Sequence, residues 1–160
     1  MIALGQYGLK MYYVHPVVHD HAAKLCCTPY EGHKKGCPNF GKSPTCPPNV
    51  RPFEEIINIH DSILAVCLMF DLGAHAEKMK QKHPHWTEKQ QYNCLYWQGG
   101  MRSTLKKLCE DTIKPGQIYL LLPEAHGVNI SETLKNVGLI LEWPPKKYVW
   151  KVAIIGTANK

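Results

Sequence analysis

The pattern of hydrophobic and polar positions predicts strands at five places along the chain. The runs are short, apolar and rich in β-branched or aromatic residues, which is typical of strands that pack against a core. They are residues 9–18, 63–70, 117–122, 139–143 and 148–155. The tetrapeptide PPKK separates the last two runs, so we expect an antiparallel hairpin there with a loop of about four residues.

Helices are predicted between these strands. Pro52 suits the first position of a short helix that carries apolar residues at helical spacing. A longer helix is expected over residues 87–109, with Thr87 as its N-cap and Gly99–Gly100 as a bend or break. Ser131 is a candidate N-cap for a third helix. Strands and helices that follow one another in this way predict a single α/β or α+β domain with a mixed sheet and packed helices.

Length and composition are compatible with one such domain over residues 1–160. Hydrophobic residues make up 44% and charged residues 20%, which excludes wholesale disorder. No run approaches the roughly 18–20 apolar residues of a membrane span, so we expect no membrane association. No apolar segment follows a basic N-terminus, and the seven cysteines are too unevenly spread for a secreted disulfide scaffold. We therefore expect a cytoplasmic, reducing environment.

Residues 26–52 break the hydrophobic pattern. Five prolines precede Pro52 in this segment, three glycines accompany them, and few residues are apolar. Such a composition excludes a helix or a central strand, so the segment is predicted to be a loop. An unstructured loop of about 25 residues is uncommon in a compact domain unless something orders it. A bound metal or cluster would supply that order.

The cysteines of this loop, Cys26, Cys27, Cys37 and Cys46, are the predicted metal ligands. Thiolates bind zinc and iron–sulfur clusters, and clustered cysteines in a reducing compartment indicate metal before disulfide. Structural zinc sites usually pair cysteines with about two to four residues between them, a spacing that is absent here. The observed intervals of eight to ten residues suit a loop wrapped around a larger object. We predict a 4Fe-4S cluster, with zinc or no metal as the alternatives.

Neighbouring residues of the loop favour coordination. Proline directly follows Cys37 and Cys46 and limits the backbone freedom lost on ordering. Gly36 and Gly41 allow a close approach of the backbone to a bulky centre, where N–H groups can point at sulfur. Lys42 is one of three lysines that could offset the charge of the thiolates.

The fourth ligand of a cluster is left open by the sequence. Three loop thiolates would leave one iron exposed for redox or sulfur-transfer chemistry on a small molecule or with a partner protein. Four thiolates would indicate electron transfer or a structural role. The candidates for the fourth position are the second member of the Cys26–Cys27 pair, His33, Cys94 and Cys109.

The run GCPNFGKSPTCPPN, residues 36–49, resembles the signature of the predicted metal-binding protein family known as domain of unknown function 2284, common in anaerobic bacteria and archaea. The matching positions are Cys37, Pro38, Gly41, Lys42, Cys46, Pro47 and Pro48, with Phe40 in the aromatic position. A second similarity covers residues 127–145, with matches at Gly127, Thr133 and Gly138. The resemblance implies metal binding and no particular reaction. This chain lacks the second cysteine-rich stretch of many relatives, which implies a single site.

A substrate pocket beside the loop is predicted from five residues. Trp97 and Arg102 lie on the long predicted helix, where aromatic residues belong either to the core or to a pocket that faces the cysteines. Glu124 and His126 follow the third strand, near a sheet edge where ligands often bind, and form a candidate acid/base pair. Lys42 in the loop completes the set.

The remaining basic residues suggest a different function. The net charge is +6 at pH 7, which is too small to require a nucleic-acid partner. A stretch rich in histidine and lysine either is a solvated surface or contacts the phosphates of a nucleotide or RNA. It contains His75, Lys78, Lys80, Lys82, His83 and His85. His15, His19 and His21 are a further metal candidate or a solvated segment, and Cys67 is expected in the core. The motifs of Walker-type nucleotide binding and of the common hydrolases are absent.

Overall fold

The computed structural model describes residues 1–19, 26–29, 32–44, 46 and 49–160. Its centre is a five-stranded antiparallel sheet in the order β1-β2-β3-β5-β4. The strands are β1 (Ile2–Leu4), β2 (Tyr7–Tyr13), β3 (Leu64–Asp71), β4 (Gln117–Leu120) and β5 (Tyr148–Thr157). The longest strand, β5, is next to the central strand β3, so the two most apolar strands pair with each other.

Five α-helices and two 3₁₀ turns connect these strands in the described ranges. The helices are α1 (Phe53–Ile56), α2 (Leu72–Lys82), α3 (Glu88–Gln91), α4 (Gln98–Thr112) and α5 (Ile130–Lys135). The 3₁₀ turns are Cys94–Tyr96 and Pro123–His126. Among them no helix is long and apolar enough to cross a bilayer.

The sheet buries both of its faces. Side chains alternate along β3, so Cys67 belongs to one apolar cluster and Leu68 to the other. Helix α4 covers the second face with Met101, Leu105 and Cys109, which recur every four residues and are fully or almost fully buried. The first face is covered by α1, α5 and the segments around them.

One edge of β5 is only half paired. Strand β4 pairs with Ile154–Thr157 alone. Beyond that pairing, the chain leaves β4 and forms the 3₁₀ turn Pro123–His126, which contacts β5. The first half of β5, residues 148–153, is therefore paired with β3 on one side and has no strand on the other in the described structure.

The expected fold class is confirmed in its α+β form, and the predicted core position of Cys67 is confirmed as well. The mixed sheet is wrong, because all four pairs of neighbouring strands are antiparallel. The strand predicted over residues 9–18 is instead β2, which ends at Tyr13 and forms a hairpin with β1 around Gly5 (φ +60°). The strands predicted at 63–70 and 117–122 correspond to β3 and β4.

The predicted hairpin between residues 139–143 and 148–155 is wrong. Leu139 is buried at the end of α5, where its N–H donates to the carbonyl of Leu134 (3.0 Å). Glu142 accepts the backbone N–H groups of Lys146 and Lys147, both at 3.2 Å. These local bonds take the place of a strand ladder between the two segments.

The long helix predicted over residues 87–109 is divided into α3, a 3₁₀ turn and α4. Thr87 is the N-cap of α3, with a capping box to Gln90, as predicted. The division occurs at Asn93, whose side chain accepts the N–H of Leu95 and starts the 3₁₀ turn. Gly99–Gly100 lies inside the first turn of α4 and does not break it.

Two further helices differ from expectation. Helix α5 is capped by Asn129, which accepts the N–H of Glu132 (3.1 Å), and not by Ser131. The His- and Lys-rich stretch is largely the helix α2, which the sequence pattern missed because its apolar face is narrow. Asp71 caps α2 by accepting the N–H of Ala74 at 2.9 Å.

Candidate metal centre and adjoining cavities

The cysteine loop, residues 26–52, is built from consecutive tight turns, as its proline and glycine content predicted. In each turn a backbone N–H donates to the carbonyl three residues before it. The pairs are Gly36 to His33, Phe40 to Cys37, Lys42 to Asn39, Cys46 to Ser43 and Asn49 to Cys46, at 2.9–3.2 Å. Of the described loop residues, only Gly36 is buried. Local turns, and not a hydrophobic core, therefore set the course of this segment.

Both ends of the loop are anchored around the 3₁₀ turn Pro123–His126. On the entering side, the N–H of His19 donates to the carbonyl of Gly127 at 2.9 Å. On the leaving side, Nδ1 of His126 lies 2.7 Å from the carbonyl oxygen of Arg51. Because a carbonyl only accepts, Nδ1 carries the proton, and Nε2 of the neutral ring is left as an acceptor. The cysteine loop is thus attached beside the unpaired half of β5.

The loop brings the Cys26–Cys27 pair against Cys37. The N–H of Cys37 donates to the carbonyl of Cys26 at 2.6 Å. Gly36 lies directly against the same backbone with φ +82°, and a Cβ there would stand 2.5 Å from the Cys26 oxygen and 2.6 Å from the carbonyl carbon of Cys27. Only glycine fits this contact. The contact of Gly36 is with protein backbone, whereas the sequence predicted a close approach to a bulky bound centre.

The Cys26 thiol is influenced by burial and by the charges around it. Burial raises the pKa of this thiol, and negative charge on Cys37, Cys27 and Cys46 raises it further, as does charge on Glu124. Cys26, Cys37 and Cys46 are half-buried and Cys27 is exposed.

The same cysteines do not form a compact single-ion site. Within the described ranges, no three His, Cys, Asp or Glu side chains are close enough to hold one metal ion. A tetrahedral zinc site needs all its sulfur atoms about 2.3 Å from one point. A cluster binds its cysteines through different iron atoms and so accepts donors that are further apart.

Asn49 is a loop residue that the sequence analysis missed. Its side-chain amide donates to the carbonyls of Ser43 at 3.1 Å and Gly41 at 3.4 Å. It thereby closes the segment that carries Cys46 onto the preceding turn. An asparagine three residues after a cysteine in a proline-rich loop was the available signal, since this residue favours local bonds to backbone.

Two cavities adjoin the thiols on opposite faces of the β5 edge. The aromatic cavity, about 530 Å³, is bordered by Cys26 and Glu124 and by Trp143, Tyr148, Trp150 and Val152. The basic cavity, about 560 Å³, is bordered by Cys46, Arg102, Lys151 and His126 and by Tyr119 and a series of leucines. Trp150 and Lys151 are adjacent in β5 and therefore point to opposite faces. Of the loop cysteines, Cys26 borders the aromatic cavity and Cys46 the basic cavity.

Glu124 and His126, the predicted acid/base pair, are divided between these cavities. Glu124 borders the aromatic cavity and is densely surrounded by protein. This burial raises the pKa of its carboxyl. A backbone hydrogen bond and the charge of Lys151 both lower the same pKa and so partly oppose the shift. His126 borders the basic cavity and is fixed by Arg51. The two side chains reach the thiol region from different sides.

Arg102 borders the basic cavity as part of the predicted pocket, and Lys151 joins it there. Burial lowers the pKa of Lys151, the nearby Arg102 lowers it further, and Glu124 and Cys94 partly oppose the shift. Lys151 was missed from the sequence because it lies within an apolar strand run. A lysine inside such a run was the available signal, since buried lysines are rare.

Trp97 and Lys42, the other predicted pocket residues, lie elsewhere. Trp97 stacks on Phe70 at 5.8 Å between ring centroids, and its indole N–H donates to the carbonyl of Tyr92. It is packed against the core, which is the alternative the sequence left open. Lys42 is exposed in the loop and borders neither cavity.

The candidates for a fourth ligand have different surroundings. Cys109 of α4 is buried in the core, and burial raises the pKa of its thiol to about 12. Cys94 is exposed and is close enough to Lys151 to influence its titration. His33 is an exposed residue of the loop itself. Cys94 and the second cysteine of the Cys26–Cys27 pair remain the better placed donors.

The other histidine candidates do not form a site in the described ranges. Nε2 of His19 lies 3.9 Å from Glu132, whereas His21 and the neighbouring Asp20 lie outside the described residues. On the basic stretch, the His83 ring stacks on Trp86 at 4.0 Å, and the lysines of α2 are exposed. These features are compatible with a solvated surface and equally with contact to an anionic polymer.

Searches of the known protein families, of curated proteins and of solved structures return no match to this chain.

Proposed function

We propose that the protein binds one 4Fe-4S cluster through Cys26, Cys37 and Cys46. The observation that carries this proposal is the backbone contact between two of the loop cysteines, in which the Cys37 N–H donates to the Cys26 carbonyl at 2.6 Å. The fourth donor is Cys27 or Cys94, or the fourth iron is left for an external ligand. The resemblance of residues 36–49 to a metal-binding signature supports the same assignment.

Several features favour a cluster over zinc. The ligand spacing lacks the short pairs of structural zinc sites, and the described thiols are too widely spread for one ion. The loop also contains few apolar groups of its own, so it needs a large bound object to hold its turns in one arrangement. Zinc as a structural element of an interaction module is the alternative.

The cluster would supply one-electron transfer or an open iron for redox or sulfur-transfer chemistry. The surrounding residues would control what reaches it. Cys26 borders the aromatic cavity and Cys46 the basic cavity, so a small molecule or the surface of a partner protein can approach from either face of β5. With Nδ1 directed at the carbonyl of Arg51, the Nε2 atom of His126 can accept a hydrogen bond from a ligand in the basic cavity.

The test is metal and sulfide analysis of protein purified without oxygen. We expect iron and acid-labile sulfide in equal amounts, together with the visible absorption of sulfide-to-iron charge transfer. Zinc in a one-to-one ratio with the chain, in colourless protein without sulfide, would overturn the cluster and establish the zinc alternative.

A second candidate function is binding of RNA or a nucleotide on α2 and the turn after it. It is favoured by the exposed lysines Lys78, Lys80 and Lys82 beside the stacked rings of His83 and Trp86. If this surface binds RNA, affinity must fall steeply with salt and must be lost when the three lysines are replaced by glutamine. Binding that is absent, or insensitive to salt, would dismiss it.

A further inference from the structure

The basic cavity has two positive charges that the fold itself does not neutralise. Arg102 comes from α4 and Lys151 from β5, so two independent elements direct cations into one space of about 560 Å³. In the described ranges neither of them forms an ion pair within 4.0 Å, whereas Lys106 and Lys107 of the same helix pair with Glu110 and Asp111. A pair of like charges near each other is unfavourable unless something compensates it.

The acid that lies near Lys151 is a weak compensator. Glu124 acts on Lys151, but it borders the opposite cavity, and burial favours its neutral form. Asn39 and Ser43 of the cysteine loop are neutral polar groups at the basic cavity, which Cys46 and His126 also border. No carboxylate of the described residues borders it, so an anionic ligand would supply the negative charge that the two cations lack.

The wall of the cavity is apolar. Leu105 of α4 and Tyr119, Leu120 and Leu121 of the β4 region contribute to it. A volume of this size is typical of small-molecule sites, in which a few polar groups orient a ligand that is otherwise held by apolar contact. The combination of two cations and an apolar wall defines a ligand with a charged head and a hydrophobic body.

We propose that the basic cavity binds a small oxyanion with an apolar body, whose head contacts Arg102 and Lys151 and whose body packs on Leu105, Tyr119 and Leu121. Cys46 also borders this cavity, which places the ligand next to the thiol group. If the ligand is a substrate of the cluster, this assignment rests on the proposed function. Binding of an anion in the basic cavity, in contrast, depends only on residues of the chain and needs no cluster.

Calorimetric titration of the as-isolated protein with three matched probes tests the charge requirement. The probes are hexanoate, hexyl phosphate and the neutral hexanamide. Because only the anions can form charge-assisted hydrogen bonds with Arg102 and Lys151, at least one of them should bind about tenfold or more tightly than the amide. The preferred anion identifies the head group as carboxylate or phosphate. Equal binding of all three probes, or none by the anions, would overturn the proposal.

Substitution locates the site. Lys151→Met keeps the length of a partly buried side chain and removes its charge. Arg102→Gln removes the charge of an exposed side chain on α4 and shortens it. Each should weaken binding of the preferred anion by about tenfold and leave hexanamide unchanged. Lys107→Gln removes a cation from the same helix outside the cavity and should leave both affinities within about twofold. Anion binding that responds equally to Lys107→Gln would contradict the assignment.

The outcome separates this inference from the proposed function. If the protein contains a cluster, binding of the anion next to Cys46 should also alter the visible circular dichroism of the cluster. If the protein contains no iron, the proposed function fails, but the titrations still decide whether the cavity binds oxyanions. If iron-loaded protein binds no anion, the proposed cluster stands and only the inference of an anion site fails. Thermal unfolding of each variant shows whether it is folded. If Lys151→Met does not fold, Arg102→Gln still tests the site, because Arg102 is at an exposed position of α4.

Discussion

The sheet with α4 and the cysteine loop are held in place by different forces. In the central strand β3, Val66, Cys67 and Leu68 have no exposed surface, and α4 adds buried side chains to the same core. Among the described residues of the loop, Gly36 alone is buried, and it has no side chain. Hydrophobic burial stabilises the first region, whereas turns and a few anchoring bonds define the second. The two regions should therefore respond to different perturbations.

This difference explains why an iron or zinc centre is expected in one region only. Apolar contact cannot select one conformation of a segment that contains almost no apolar side chains. The turns of the loop satisfy its backbone locally but leave their mutual arrangement to the anchors at His19 and Arg51 and to the thiols. Removal of metal should loosen the loop and leave the sheet folded.

The largest effect on folding is expected from the core. Leu68→Ala removes a fully buried side chain from β3 and should lower the free energy of unfolding by about 2–5 kcal/mol. Urea denaturation followed by far-ultraviolet circular dichroism measures this loss. Leu95→Ala is the control, because Leu95 is 84% exposed, and its effect should stay within about 0.5 kcal/mol. A small effect of Leu68→Ala would mean that β3 is not the stabilising centre.

The largest effect on the loop is expected from Gly36→Ala. The added Cβ would collide with the backbone of Cys26 and Cys27, so the variant should lose most of its iron while the sheet stays folded. Gly32→Ala is a matched control, since Gly32 has nearly the same φ, +81° against +82°, but no atom of the described residues beyond its chain neighbours lies within 4 Å of the new Cβ. It carries the same backbone strain without the collision and should retain iron. Equal iron content in the two variants would show that the contact at Gly36 is not required.

A smaller effect is expected from Asn49→Asp. The carboxylate cannot donate to the carbonyls of Ser43 and Gly41, so the turn that carries Cys46 loses both side-chain bonds. Each bond contributes about 0.5–1.5 kcal/mol, and we expect iron to be lost to a chelator several times faster. Asn39→Asp places the same charge in the loop at a residue whose described bonds are made by its backbone. Its rate of iron loss should be closer to that of the unmodified protein, and the opposite order would contradict the role of Asn49.

The smallest expected effect is on the pH dependence of stability, and it concerns His75 of α2. Burial lowers the pKa of His75, nearby Lys78 lowers it further, and its Nε2 is buried without a hydrogen-bond partner among the described residues. A histidine with a lowered pKa binds protons less readily when folded, so stability is full above the unfolded pKa of about 6.5 and declines as pH falls below it. His75→Leu should flatten this decline in the free energy of unfolding between about pH 7 and 5. An unchanged pH profile would show that His75 does not cause the decline in stability at low pH.

The sequence predicted the central sheet better than its edges. Continuous apolar runs such as β3 are recognised because only a buried strand accommodates them. The hairpin at residues 139–143 was wrong because two carboxylate-to-backbone bonds from Glu142 are invisible to a hydrophobic pattern. Helix α2 was missed for a related reason, since only Leu72 and Ala76 among its residues are buried.

For the candidate site, the sequence identified the residue types but not their grouping. The cysteines, Arg102, Glu124 and His126 were predicted, and they lie around one edge of β5. Their division between two cavities depends on which face of β5 each neighbour occupies, which no local pattern encodes. Lys151 and Asn49 were missed because each acts through tertiary contacts that a single run of residues does not reveal.

The most direct test of the metal centre is the iron and sulfide content of Cys37→Ser, measured beside Cys67→Ala after purification without oxygen. Cys37 lies among the loop thiols and Cys67 in the core of β3, so the two changes remove one sulfur from each of the contrasted regions. We expect Cys37→Ser to retain its fold and lose iron and sulfide together, and Cys67→Ala to retain both. Full iron and sulfide in Cys37→Ser would contradict a centre held by the loop.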